Sequence, residues 1–284
     1  MPMRYRRHGV QMKLVTGAYG FIGSNFVRYL NRLGMEDIIV CDYLTNGKQF
    51  TNLNKCKFVG YVTPDRLLST FSDYSFTEVF HFGAISNTKE WNGELVMERN
   101  YQYTLDLLSQ AVANKAAFSY SSSASVYGNG DGPMNLYAYS KYLVDKAIEP
   151  LLNDLDIKVQ GFRYFNVYGR NEDHKLGQAS PYHTFKKQAL ETGEIRIFEG
   201  SENYKRDFVP VERVCEVQFM MLHMGPSGIY DLGMGTQKSF KEVAEEVAKE
   251  TGARIIEIPF PKELVGHYQT STLADMGYLK DFSH

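Results

Sequence analysis

Cysteine is scarce in this chain. The three that occur, Cys41, Cys56 and Cys215, form no close pair, which excludes a disulfide framework and a cysteine-built zinc site. None of the seven histidines stands in a His-Glu-x-x-His pattern, so no metal is expected. No apolar run approaches the roughly 18 residues of a membrane helix. An excess of either charge is also missing: 31 Lys plus Arg against 33 Asp plus Glu gives a net charge of −2. Neither nucleic acid nor an anionic membrane surface is therefore expected as a partner. The opening MPMRYRRHGVQ is basic but lacks the apolar core of a signal peptide, and a cytoplasmic protein is expected. A strand pattern begins at MKLVTG, which makes Met12 the expected natural start.

What is present is an alternation of strand-like and helix-like segments along 284 residues, a length that predicts about two units at roughly 150 residues each. MKLVT (12–16), DIIVC (37–41), EVFHF (78–82), AAFSYSS (116–122) and IKVQGFR (157–163) read as strands, and residues 21–33 as the first helix. Continuous apolar strands alternating with helices predict a doubly wound α/β fold, a parallel sheet covered on both faces. TPDRLL places Thr63 as a helix cap with Pro64 at the first helical position. SFKEVAEEVAKE opens with a Ser239/Glu242 capping box and an apolar face of Phe240, Val243, Ala244 and Val247. After about residue 170 the texture changes to polar, Gly-containing loops between short elements, the mark of a smaller, interleaved substrate-binding region.

VTGAYGFIGSNF sets Gly17, Gly20 and Gly23 between the first strand and the first helix. Small residues there let backbone N–H groups and the helix N-terminus approach a pyrophosphate. Asp42 ends the second strand 25 residues after Gly17, where an acid can accept from the adenosine ribose hydroxyls. The spacing predicts a dinucleotide cofactor. Asp42 speaks for NAD, since it repels a 2′-phosphate; Lys48, close by, can meet that phosphate, so NAD and NADP both stay open. Residues 12–168 then form the dinucleotide-binding Rossmann domain, with segments around 205–235 returning to it, and 169–284 the mainly substrate-binding region.

In LYAYSKYLVDK, residues four apart share a helical face, so Tyr137 and Lys141 lie together while Tyr139 points elsewhere, into packing. A free phenol titrates near 10; a neighbouring ammonium and a positive nicotinamide ring favour the phenolate. Tyr137 is the predicted acid/base. SYSSSASVYG, just before, puts hydroxyls at the carboxyl edge of the sheet, and Ser123 can hold a substrate oxygen against Tyr137.

Together TGAYGFIG, SSSASVYG and YAYSK resemble the extended short-chain dehydrogenase/reductase family of nucleotide-sugar enzymes. FHFGAISNTKEW, RNYQY, GFRYFNVYG, FEGSENYKRDFV and GHYQTSTLAD look like its ADP-L-glycero-D-manno-heptose 6-epimerase branch. That resemblance implies a tightly bound NADP or NAD that takes a hydride from C6 and returns it to the opposite face. It also implies a nucleotide sugar, ADP-heptose first, as substrate, and a homo-oligomer. By position it implies Tyr137, Lys141, Ser123 and Lys175 as the catalytic set. Gly17, Gly20, Phe21, Ile22, Gly23, Asp42, Tyr43 and Lys48 fall at cofactor positions, as do Phe82, Gly83, Ala84, Ser86, Asn100, Lys141 and Val167. Ser86, Asn166, Phe198, Glu199, Gly200, Ser201, Arg206 and Tyr268 fall at substrate positions. Arg206 suits bidentate capture of a diphosphate, against the alternative of a surface ion pair with Asp207 or Glu212.

Three departures stand out. Only GNGDGPMNL separates Tyr127 from Tyr137, where the branch has a longer segment; Gln49 replaces a frequent lysine; and the chain ends at GYLKDFSH, near where the family's last helix begins. A 4-epimerase or a keto-sugar reductase is the near alternative. A 4,6-dehydratase is disfavoured, because Ala124-Ser125 replace its Asp-Glu pair. A catalytically silent cofactor-binding regulator is the alternative of another class, although both Tyr and Lys are present.

Overall fold

The computed structural model describes residues 11–44, 47–261 and 270–282. Strand β1 (Met12–Thr16) runs into α1 (Phe21–Arg32), then β2 (Ile38–Cys41), β3 (Gly60–Val62), α2 (Pro64–Thr70) and β4 (Phe76–His81). A short α3 (Gly93–Val96), a π-helical turn (Met97–Gln102) and α4 (Tyr103–Ala113) lead to β5 (Ala117–Ser123), α5 (Leu136–Ile148) and β6 (Val159–Tyr164). Beyond these lie β7 (Asn166–Tyr168), α6 (Pro181–Thr192), β8 (Glu194–Phe198), β9 (Lys205–Arg206), β10 (Phe208–Pro210) and α7 (Val211–Met224). The last elements are β11 (Gly228–Leu232), β12 (Lys238–Ser239), α8 (Phe240–Thr251) and β13 (Arg254–Ile258).

Seven strands form one parallel sheet in the order β11-β6-β5-β4-β1-β2-β3. One apolar cluster joins its strands to α4 and α5 through Leu107, Leu108, Val144 and Ile148. Another joins the opposite face to α1 and α7 through Phe26, Leu30, Val211 and Cys215. Two helical layers explain why β2 is buried at all four positions and reads as an unbroken apolar run. This is the doubly wound, Rossmann-like fold that the alternation predicts. The two edge strands, β3 and β11, were not among the predicted strands. β3 is three residues long, and β11 (GIYDL) is only half-buried and carries a charge, so neither shows the apolar run that marks the central strands.

The chain winds outward from β1 to β3, then restarts at β4 on β1's other side. That reversal opens a crevice at the carboxyl ends of β1 and β4, where doubly wound folds bind ligands. The Ser239/Glu242 capping box forms as predicted, whereas Thr63 occupies its cap position without a side-chain cap hydrogen bond. Pro64 fixes that helix start by backbone geometry alone. A separate cluster of Phe185, Ile195, Ile197, Val243 and Val247 unites α6, α8 and β8, and β13 pairs in parallel with β8.

Candidate active site

Gly17 turns at φ 61°, and a Cβ there would lie 2.6 Å from the Gly83 nitrogen. A Cβ on Gly23 would lie 2.2 Å from the Gly17 carbonyl oxygen. Side chains are thus excluded where the loop folds onto its own helix and onto the strand end opposite. α1 begins with no acidic residue in its first turn, leaving its positive end to an anion. Asp42 accepts from the backbone N–H of Tyr19 at 2.9 Å and of Tyr43 at 2.8 Å, which ties β2 to the loop. Burial pushes its carboxyl up, against those hydrogen bonds. Phe82, Ile22 and Val167 pack in one apolar cluster beside this crevice. The side-chain-free loop at the N-terminus of α1, beside Asp42, is a cradle that fits a dinucleotide. Lys48 is exposed on the turn over Gly47–Leu53. Tyr43 donates to Asp65 at 2.6 Å and lies under Arg99, 4.5 Å from ring centre to guanidinium.

Behind the loop sits a residue that the sequence reading missed. His81 is fully buried; its Nδ1 is 2.6 Å from Thr16 Oγ1 and its Nε2 is 2.9 Å from Thr104 Oγ1. Thr16 Oγ1 accepts from the Gly83 N–H, and Thr104 Oγ1 donates to the Asn100 carbonyl. Because Thr104 donates to Asn100 O, Nε2–H donates to Thr104; with the ring neutral, Thr16 then donates to Nδ1. Burial holds the imidazole down at about 3, with Lys141 adding to the shift. The unfolded chain takes up a proton near 6.5 that the folded one refuses until about 3. Stability is therefore complete above 6.5 and falls with pH below it, by about 1.4 kcal/mol per unit. Urea unfolding at pH 7.5 and 5.5 should show that loss in the wild type and a smaller one in His81→Gln; equal slopes would remove His81 as the cause.

Asn100, on the π-helical turn, spends its side chain on neighbours: it accepts from the Ile85 N–H at 2.7 Å and donates to Ile85 O and Ser140 Oγ. It thereby pins the loop of Gly83, Ala84 and the exposed Ser86 against α5.

Asn135 caps α5 by accepting from the Ala138 N–H at 2.9 Å, which starts the helix just before Tyr137. Ser123, at the end of β5, acts on the Tyr137 phenol through a side-chain hydrogen bond. Its Oγ also lies 2.7 Å from Ser125 Oγ. The Lys141 ammonium, buried, donates to Ser121 O at 2.6 Å and Ser121 Oγ at 3.3 Å. Ser123, Tyr137 and Lys141 thus lie together at the end of β5. Two details differ from the sequence reading. Burial raises the Tyr137 phenol above its usual value, so among the protein's own groups desolvation outweighs any pull from the ammonium, which turns to Ser121 instead. Tyr139 is 47% exposed: it faces solvent, because its position falls on the outer side of the helix.

Lys175 lies elsewhere in the crevice. Its ammonium is 4.9 Å above the Phe21 ring and 4.0 Å from the buried Glu172 carboxylate. Burial lowers its pKa and Glu172 opposes the shift. Neighbouring residues dock this segment on the nucleotide end of the crevice, with Asn171 donating to Ser24 Oγ at 3.0 Å and Asn25 to Arg170 O at 2.9 Å.

Arg206 is 7% exposed and stacks on Phe240 at 5.5 Å, a burial at odds with a surface ion pair. Asp207 has its oxygens engaged by the backbone N–H groups of Met234, Gly235 and Ala274. Ser201 is buried, and its Oγ has no hydrogen-bond partner among the described residues. Phe198, Glu199 and Gly200 form the β8 end and turn leading to it, and Asn166 binds the Asp207 carbonyl through its backbone N–H. Tyr268 lies outside the described residues. A cavity of about 710 Å³ spans the gap between the catalytic strand end and this region, lined by Ala124, Tyr127, Phe165, Tyr204, Asp231 and Thr272 among others. Its lining falls largely in stretches that carry the family resemblance, SSSASVYG, GFRYFNVYG, FEGSENYKRDFV and GHYQTSTLAD. Among the described residues no His/Cys/Asp/Glu group is placed to hold a metal, and no helix is long and apolar enough to cross a membrane.

Residues 13–233 match the model of the NAD dependent epimerase/dehydratase family. The chain belongs to that family. Its structure is similar to ADP-L-glycero-D-manno-heptose-6-epimerase of Helicobacter pylori, with 29% identity and a TM-score of 0.85 over 95% of this chain and 90% of that one. It is also similar to the UDP-glucose 4-epimerase of Thermotoga maritima with UDP-glucose, with 25% identity and a TM-score of 0.82 over 95% of this chain and 92% of that one. The UDP-glucose 4-epimerase of Thermus thermophilus in complex with NAD is comparable, with 26% identity and a TM-score of 0.80 over 96% of this chain and 93% of that one. By fold and kinship the chain is thus an enzyme of the epimerase/dehydratase kind.

Proposed function

We propose that the enzyme inverts C6 of an ADP-glycero-manno-heptose by transient oxidation of its secondary alcohol. The observation that carries this reading is the convergence of Ser123, Tyr137 and Lys141 at the end of β5, on the crevice that the glycine loop enters. When bound, NAD or NADP would supply a reversible hydride acceptor. Tyr137 takes the proton of the hydroxyl on one face as the carbon is oxidised, while Ser123 donates to the same oxygen. Lys141 anchors the cofactor side of the site, and its charge lowers the cost of the phenolate. Arg206 meets the diphosphate, and the buried Ser201 hydroxyl lies on the same side of the site. Residues 12–168 with 205–235 carry the cofactor, and 169–284 mainly the sugar. The family resemblance further supports a cytoplasmic homo-oligomer.

The choice between NAD and NADP turns on Asp42 against Lys48, and mass spectrometry of the dinucleotide released from purified enzyme decides it. Incubation with ADP-heptose, followed by NMR at C6, tests the substrate; inversion is expected. The compact turn between Tyr127 and Tyr137 and the similarity to UDP-glucose 4-epimerases favour one second reading, 4-epimerisation of a UDP-hexose. That reading takes over if only the hexose is converted.

Inversion needs proton transfer on both faces of the carbon, and Lys175 is the candidate for the second. Its lowered pKa suits a base, but it sits over Phe21, on the cofactor side. Lys175→Met is expected to cut kcat by about 10²-fold with the circular dichroism spectrum unchanged. A wild-type rate would make Lys175 a loop residue that merely pairs with Glu172.

A further inference from the structure

One turn beyond Lys141 on α5 lies a carboxylate that the chemistry above leaves unused. Asp145 is 2% exposed. It accepts from Tyr120 OH at 3.0 Å, Ser122 Oγ at 2.9 Å and Arg163 Nε at 2.8 Å. Tyr120 and Ser122 share one face of β5, and Arg163 pairs with Ser122 across to β6, so two strands fix the carboxylate. Arg163 continues outward, donating to Tyr127 OH at 2.8 Å, and Tyr127 donates to Asp231 at 2.6 Å.

An ion pair with Arg163 alone would satisfy the fold. The three donors do more: they hold a negative charge still, on the same helical face as a buried ammonium. We propose that Asp145 is a positioning residue for Lys141, its fixed charge keeping the buried amine in its cationic form and its turn of α5 aligned with Ser121. Other ionisable groups near the pair are accounted for. His81 on β4 is neutral; Tyr120 on β5 and Tyr137 on α5 are phenols above their usual range; Arg163 on β6 is a cation; Glu149, just past the end of α5, acts on Tyr120. The π-helical turn packed on α5 sends Asn100 to Ser140, while its Arg99 pairs with Asp65 and Glu98. Burial holds Lys141 down at about 8, and Asp145 works against that shift.

The proposal rests on Lys141 serving Tyr137, so its test includes a reading that needs no substrate. NMR titration of 13Cε-lysine in the full chain, with Lys141→Arg assigning the signal, follows the amine directly. Asp145→Asn should move the Lys141 midpoint down from about 8 by about one unit, and the alkaline limb of kcat should move with it. Arg163→Gln removes the opposing cation and should move the midpoint up. An unmoved midpoint in folded Asp145→Asn overturns the proposal, as does a shift of both variants in one direction. A kcat loss equal at every pH would also overturn it, leaving Asp145 a fold-holding ion pair. Should Asp145→Asn not fold, the upward shift in Arg163→Gln and a wild-type midpoint in Asp145→Glu carry the test, and failure of either overturns it. A wrong sugar assignment, by contrast, abolishes turnover and leaves the titration untouched.

Discussion

Tyr137→Phe is expected to lose about 10³-fold or more in kcat while the dissociation constant for the dinucleotide stays within about threefold. The variant keeps the ring, the helix cap at Asn135 and the packing of α5, and deletes only the oxygen that meets Ser123. An effect confined to kcat is the mark of a group that acts on the reacting hydroxyl rather than on binding. The raised phenol sharpens the expectation. Burial alone makes Tyr137 a poor base at neutral pH, so its competence depends on positive charge brought beside it, and activity should rise with pH through the neutral range. Tyr139→Phe, on the exposed side of the same helix, is the control and should stay near wild type. If Tyr139→Phe is the inactive one and Tyr137→Phe turns over, the helical-face assignment is wrong.

The central features were legible because local chemistry forces them. Gly17 is needed by backbone that no other residue could occupy without meeting Gly83, and the four-residue spacing of Tyr137 and Lys141 is a property of any α-helix. The apolar runs of β1, β2 and β5 follow from burial on both faces. What escaped notice depends on the sheet being assembled. His81 reads as one histidine in an apolar strand, and only the register Thr16↔His81 makes it the brace of the loop. Asp145 and Arg163 are 18 residues apart and become partners only when β5 and β6 pair. The Lys175 segment was read by resemblance alone; folded, it lies over Phe21, a placement that no spacing along the chain encodes. The cavity beside Ala124 is likewise built by residues from five separate stretches.

Lys141→Met should produce an enzyme that is inactive and yet sturdier. Burial places the amine at about 8 in the folded chain, against about 10.4 when unfolded. Between those values the unfolded chain holds a proton that the folded one has released, so stability rises with pH across that window. Below pH 8 the folded state carries the full cost of a buried ammonium. Methionine fills similar space without the charge, so at pH 7 the variant should gain about 3 kcal/mol and lose the rise toward pH 10. Its turnover should fall by at least about 10³-fold, and cofactor affinity should drop with it, which separates it from Tyr137→Phe. Urea unfolding at pH 7 and 9.5, beside cofactor titration, reads all three. A variant that is less stable at pH 7, or that binds the dinucleotide as wild type does, would show that the ammonium is held for the fold and not for the chemistry.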